Sequence, residues 1–214
     1  MNLRLARLHY PVTALGPGRR IGIWVQGCTI GCAGCASRDT WAATEGTVVA
    51  VDEVLGWCDT VDPAAVHGVT ISGGEPSEQP AALTALVDGL ADRRRRHGWD
   101  LLCYTGVEED QFARRCPGAY AALDALITGP YRAAAPTRLI WRGSANQRLI
   151  PLSPAGSARY ARWVDAEEDR PLLQVQVDGD SIRMIGIPRR GDLGRLQRLL
   201  GDHGVHLGEV SWRG

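Results

Sequence analysis

Lysine is absent: all 24 basic residues of this 214-residue chain are arginines. That excludes a lysine Schiff base and a Walker-type phosphate lysine. A surplus of charge is missing too, since 24 Asp and Glu residues balance the arginines. A nucleic-acid binder would show a net basic footprint, so no nucleic-acid partner is expected. No apolar run approaches the ~20 residues of a membrane span, and no membrane partner is expected. The start, Met1 to Leu8, alternates polar and apolar residues. It lacks the continuous apolar stretch of a signal peptide, so the expected location is the cytoplasm. Repeats and long linkers are also lacking. Hydrophobic residues at 44% and charged residues at 22% are globular values, which excludes disorder, collagen and coiled coil. The expectation is one domain over residues 1–214.

Six cysteines are present. In a reduced compartment they do not read as a disulfide framework; clustered ones read as metal or redox ligands.

Leu3 to Leu8 has the period-two pattern of a strand, and Ala14 to Gly18 is a breaker cluster. From Ile21 to Ile127 the pattern alternates. Strands are expected at Ile21–Val25, Val66–Ser72, Trp99–Tyr104 and Ala122–Ile127. Helices are expected at Val51–Cys58, Glu78–His97 and Val107–Arg115. That order predicts an α/β fold with parallel strands and helical crossovers. Residues 131–166 read as irregular. Leu172–Val177 and Ser181–Ile187 flank Asp178-Gly179-Asp180, a hairpin signal. A last helix at Asp192–Leu200 and a last strand at Val205–Trp212 complete the prediction.

Cys28, Cys32 and Cys35 lie in Gln26-Gly27-Cys28-Thr29-Ile30-Gly31-Cys32-Ala33-Gly34-Cys35, just beyond an apolar strand. In parallel α/β folds the carboxyl edge is where ligands bind. Gly27, Gly31 and Gly34 permit close backbone approach, so amides can point at the sulfurs and tune a cluster. A four-iron cubane carries one cysteine per iron in an electron carrier. Three local cysteines leave one iron open to a chelating small molecule. Two other readings stand beside this one: zinc held with a distant His9 or His67, and a redox pair formed by Cys32 and Cys35. Cys58, Cys103 and Cys116 read as small buried hydrophobes.

Val69-Thr70-Ile71-Ser72-Gly73-Gly74-Glu75-Pro76 places two glycines and a carboxylate at the end of the next parallel strand. Pro76 keeps Glu75 out of the helical region. Bare backbone and a carboxylate at a strand end can meet an ammonium group.

With these two motifs in this order, the chain resembles the radical S-adenosylmethionine (SAM) superfamily. The resemblance implies an incomplete, open (β/α) barrel with a C-terminal β-hairpin and helix. It implies one [4Fe-4S] cluster held by Cys28, Cys32 and Cys35, with Gly73, Gly74, Glu75 and Thr105 at SAM. It further implies reductive cleavage of SAM to a 5′-deoxyadenosyl radical that abstracts a hydrogen. A narrower likeness rests on Gly16-Pro17-Gly18-Arg19, Trp24-Val25-Gln26-Gly27-Cys28 and Asp39-Thr40-Trp41. It continues with Tyr104-Thr105-Gly106, Leu126 to Tyr131, and Trp141 to Arg148. These resemble the activating enzymes of glycyl-radical enzymes, the anaerobic ribonucleotide reductase activating-enzyme family among them.

That family implies a glycyl-radical partner and a reductant such as flavodoxin or ferredoxin. The likeness covers roughly residues 12–150, the expected core, and weakly the hairpin near Gly179; residues 151–214 form an extension. Ser37 and Thr128 depart from the family pattern. Tyr104, Arg142, Asn146, Gln147 and Arg148 are candidates for the SAM or substrate side. Modification of a small molecule or peptide is the alternative within the same chemistry. A non-catalytic zinc or iron–sulfur binding module is the alternative outside it. Arg93–Arg96 read as a solvated helix end, and Trp24, Trp41 and Trp163 as packing. The extension is expected to pack beside the core and leave the mouth open to a protein segment.

Overall fold

The computed structural model describes residues 1–179, 181–208 and 210. Strands β1 (Asn2–Val12), β2 (Arg20–Val25), β3 (Thr47–Ala50), β4 (Gly68–Gly73), β5 (Asp100–Tyr104), β6 (Ala125–Thr128) and β7 (Arg148–Pro151) form one seven-stranded sheet. Their order is β3-β1-β2-β4-β5-β6-β7. The central strands β2, β4, β5 and β6 pair in parallel, while β1, β3 and β7 join antiparallel. The parallel core follows from the predicted alternation, because parallel neighbours need a long crossover, usually helical. Helices α1 (Val51–Cys58), α2 (Pro80–His97), α3 (Glu109–Arg115) and α4 (Pro117–Ala122) occupy those crossovers. The sheet is open, with β3 and β7 at its edges.

Both faces of the parallel strands are covered, so β2 is buried throughout. Side chains alternate between faces. Ile21, Ile23, Val69, Ile71, Leu101, Cys103 and Leu126 point to one core, where α2 contributes Leu83, Leu86, Val87 and Leu90. Trp24, Leu102, Ala125 and Ile127 point to the opposite face, beneath Trp141, Tyr160 and Ile185 from later in the chain. Helix α2 begins at Pro80, two residues later than predicted. Pro76–Glu78 form a short 3₁₀ turn, and Gln79 has non-helical backbone angles. It ends where Gly98 takes a left-handed φ of 69°.

The region predicted as irregular holds β7, helix α5 (Pro154–Tyr160) and a short 3₁₀ turn at Ala161–Trp163. The start of α5 carries a legible signal. Ser153 is its N-cap, accepting a hydrogen bond from the Gly156 amide at 2.9 Å, and Pro154 opens the first turn. The hairpin forms as β8 (Leu173–Asp178) paired with β9 (Ser181–Gly186), and helix α6 spans Asp192–Asp202. The expected last strand is not formed at 205–208 or 210; its other residues lie outside the described ones.

Arg20, at the amino end of β2, is fully buried. It donates to both Asp100 carboxylate oxygens, at 3.1 and 2.6 Å, to Thr70 Oγ1 at 2.6 Å and to the Val69 carbonyl at 2.8 Å. Tyr160 and Arg159 of α5 also bind Asp100, which fastens α5 to the sheet. Arg93 and Arg94 are not a solvated helix end. Arg93 pairs with Asp59 and Arg94 with Asp124, so they bind α2 to its neighbours.

Candidate functional site

The loop after β2 carries Cys28, Cys32 and Cys35, all free and half-buried. Its path is set by the backbone. The Gly27 amide donates to the Thr40 carbonyl at 2.8 Å, and the Cys28 amide to the Trp41 carbonyl at 3.0 Å. Gln26, buried, donates to the Asp39 and Ala42 carbonyls. Thr29 donates twice to Glu78, from its amide at 2.8 Å and its hydroxyl at 2.6 Å. Amides point at the sulfurs as the glycine pattern suggested. The Ser37 amide donates to Cys35 Sγ at 3.4 Å. Burial pushes the Cys28 and Cys32 thiols up, against backbone hydrogen bonds from Ile30 and Gly31 at Cys28 and from Tyr131 at Cys32.

Gly73-Gly74-Glu75 ends β4 directly against this loop. The Gly74 amide donates to the Val25 carbonyl and the Glu75 amide to the Gly27 carbonyl, each at 2.8 Å. A Cβ at Gly74 would lie 2.2 Å from the Gly27 carbonyl oxygen, so no side chain fits there. The Glu75 carboxylate is only 1% exposed. Its Oε1 accepts from the Thr105 hydroxyl at 2.6 Å and the Ser77 amide at 2.9 Å, and its Oε2 from the Gly106 amide at 2.7 Å. Glu75 thus ties the carboxyl ends of β4 and β5 together.

A part-enclosed cavity of about 770 Å³ lies beside the loop, on the sheet face away from α2. Trp24, Ser72 and Tyr104 form its floor, Cys35 part of its rim, and residues 182–191 one wall. The extension therefore does more than pack beside the core. Tyr104 Oη and His9 Nε2 are buried there without hydrogen-bond partners. Burial pushes the Tyr104 hydroxyl far up, against the nearby charges of Arg20 and Arg142.

The remaining candidates separate. Gln147 lines the cavity, but its side chain accepts from the Gly143 and Ser144 amides and donates to the Gly129 carbonyl. Asn146 donates to the Pro130 carbonyl at 2.8 Å. Arg142 is buried, bonded to the Ile140 and Trp163 carbonyls, and lines a separate small pocket. Arg148 points to Glu109, 3.7 Å away. Gln26, Glu78 and Gln79 were not singled out from the sequence, yet they position the loop. Gln79 donates to the Gln26 and Arg4 carbonyls and accepts from the Arg4 amide. No local pattern marks this role, because the partners of Gln79 lie 53 and 75 residues away.

Three thiols on one loop, with amides directed at them, suit a multi-iron cluster in which each iron takes one thiolate. A single zinc ion needs tighter convergence. Among the described residues no three His, Cys, Asp or Glu side chains are so gathered. His67 accepts from the Arg19 amide just before β4. At ~3.3 Å per strand residue, that is roughly 20 Å from the cysteine loop. No described helix is long and apolar enough to cross a membrane.

Residues 14–150 match a family model described as a 4Fe-4S single cluster domain. The chain is 31% identical over 136 residues to the anaerobic ribonucleoside-triphosphate reductase-activating protein of Enterobacteria phage T4, covering 63% of this chain and 85% of that protein. Proteins with the same description from Haemophilus influenzae and Escherichia coli K12 are 30% and 29% identical. Each match covers 65% of this chain, with 92% and 93% of those proteins. The cysteine loop, the Gly73–Glu75 strand end and Trp141–Arg148 all fall within the matched region. The chain therefore belongs to the 4Fe-4S single cluster domain family, as a homologue of the anaerobic ribonucleoside-triphosphate reductase-activating proteins.

Proposed function

We propose that this chain is a radical SAM enzyme that activates a glycyl-radical partner, with the sheet serving as an incomplete (β/α) barrel. Cys28, Cys32 and Cys35 would hold one [4Fe-4S] cluster, and the cavity beside Cys35 would take SAM and the substrate. The reading rests above all on one observation. The three-cysteine loop is bonded through Val25 and Gly27 to the Gly73-Gly74-Glu75 strand end, beside a cavity large enough for a cofactor.

When bound, the cluster and SAM supply a 5′-deoxyadenosyl radical able to abstract a hydrogen from a backbone glycine. The chain's own residues bind, orient and shield. The three cysteines leave the fourth iron position without a protein thiolate. Gly73 and Gly74 expose backbone beside the loop, and the Glu75–Thr105 tie holds that backbone in place. Trp24 and Tyr104 give the cavity an aromatic floor that excludes water from the reacting region. The relatives' description as reductase-activating proteins favours a protein substrate. A flavodoxin- or ferredoxin-type donor would reach the half-buried loop from solvent, in the cytoplasm.

Anaerobically reconstituted protein should carry about four irons per chain. Cys28→Ala, Cys32→Ala or Cys35→Ala should each abolish the brown chromophore, and Cys58→Ala should leave it. SAM should alter the reduced cluster's EPR signal, and reduction should release 5′-deoxyadenosine. Stoichiometric zinc without iron, or an iron-loaded protein that neither binds nor cleaves SAM, overturns the proposal.

A further inference from the structure

We infer that Glu75 and Glu78 set two negative charges against the Cys28 end of the loop and thereby hold the bound cluster at a low reduction potential; the inference rests on the cluster reading above.

Glu78 reaches the loop directly. Its Oε1 accepts from the Thr29 amide at 2.8 Å and from the Thr29 hydroxyl at 2.6 Å. One peptide bond joins Thr29 to Cys28. Glu75 lies beside the same stretch. Its amide donates to the Gly27 carbonyl at 2.8 Å. A Cβ built at Gly106 would meet both Ile30 Cδ1, at 2.6 Å, and Glu75 Oε2, at 3.4 Å. Ile30 stands between Cys28 and Cys32, so the carboxylate borders the loop there.

Both carboxylates are held by neutral donors. Those of Glu75 are the Thr105 hydroxyl and the Ser77 and Gly106 amides; those of Glu78 are the two groups of Thr29. Such donors hold a carboxylate in place without cancelling its charge. Among the described residues neither Glu75 nor Glu78 forms an ion pair. Arg115 donates to the Ser77 hydroxyl at 3.3 Å, but it is exposed, so water screens its charge. Arg7 pairs with Asp39, and Arg38 stacks over Trp41. Both charges are felt at the loop. Burial pushes the Cys28 thiol up, and the Glu75 and Glu78 charges push it the same way, against the Ile30 and Gly31 amides. Net charge and hydrogen bonds around an iron–sulfur cluster set its potential. Fixed negative charge disfavours the entry of an electron, most of all where burial lowers the local dielectric. The single electron that enters the bound cluster comes from the low-potential donor proposed above. A lower potential makes that electron a stronger reductant toward SAM.

The experiment is a redox titration of the reconstituted full chain without SAM, using dithionite and viologen mediators, read by the EPR signal of the reduced cluster. In E78Q the amide oxygen still accepts from Thr29, so the loop keeps its anchor while the charge is removed. At the parent's midpoint potential, E78Q should raise the ratio of reduced to oxidised cluster about three- to tenfold, tenfold being about 59 mV for one electron. E75Q should shift it in the same direction. E78D keeps the charge and should stay within about twofold of the parent. D92N removes a charge roughly 18 Å farther along α2 than Pro80 and should leave the midpoint unchanged. Iron content is read on the same samples and should equal the parent's. An E78Q midpoint at or below the parent's overturns the inference, as does a D92N shift of equal size. If E78Q loses iron, the sign of the E75Q shift decides in the same way. If the parent takes up iron and cleaves SAM while both glutamine variants keep its midpoint, only this inference fails; if the parent takes up no iron, the cluster reading has failed.

Discussion

Replacing Glu75 by Gln probes the tie between β4 and β5. The carboxylate accepts from the Thr105 hydroxyl, the Ser77 amide and the Gly106 amide while 1% exposed. A glutamine keeps one acceptor oxygen, which can hold Thr105 and Ser77. Its amide nitrogen then faces the Gly106 N–H across what is now a 2.7 Å contact, donor against donor. One hydrogen bond to a charged acceptor is lost and one buried amide is left unsatisfied, a cost of about 1.5–3 kcal/mol. Relief of the carboxylate's own desolvation offsets part of this, so a net loss of ~1–2 kcal/mol is expected from a total of roughly 5–15. Urea unfolding of the metal-free protein should show a lower midpoint with an unchanged slope. Thr105→Val should cost about as much, since Thr105 also accepts weakly from the Val107 amide at 3.3 Å. Because both changes act on one tie, the double variant should fall short of additivity by ~0.5 kcal/mol or more. An E75Q protein as stable as the parent, or strictly additive losses, would refute the tie.

Three other outcomes follow from the same structure. In metal-free folded protein at mildly alkaline pH, iodoacetamide should label Cys28, Cys32 and Cys35 and spare the others. Burial pushes Cys58 up to about 12 and Cys116 up to about 11, and Cys103 is raised well above its ordinary value; mass mapping of the labelled peptides checks this. Asp100→Ala strips the buried Arg20 of its counter-charge and releases Tyr160 and Arg159. A loss of ~3–5 kcal/mol is expected in denaturant unfolding, and a loss under 1 would contradict the network. The Arg93 guanidinium, by hydrogen bonding to it, holds the Asp59 carboxyl below its ordinary value. The pair's contribution is therefore present above the unfolded pKa near 3.8 and disappears as pH falls through the lower folded value. With Asp59 half exposed, screening limits it to ~0.2–1 kcal/mol. Arg93→Gln should flatten the acid limb of the stability curve by that amount.

The sequence by itself determined the parallel core and the position of the cysteine loop at the carboxyl end of β2. Apolar strands such as Ile21–Val25 and Val69–Ile71 alternate with helix-length segments, a pattern that only helical crossovers satisfy. Cys28, Cys32 and Cys35 were legible because their chemistry and spacing are local, and Gly73-Gly74-Glu75 because glycine and proline report backbone demands directly. Helix α5 was legible too, in Ser153-Pro154, yet its reason for forming lies in Asp100 and Arg20, far away in sequence. Tertiary structure alone decided what the polar residues do. Glu75 is spent on Thr105 and Gly106, Arg148 reaches Glu109, and Gln79 holds Gln26 and Arg4. It also made the C-terminal hairpin one wall of the cavity beside Cys35. Local motifs constrain backbone conformation within a few residues. A buried hydrogen bond or a cavity wall depends on which distant segments meet, and that is settled by packing two faces of one sheet at once.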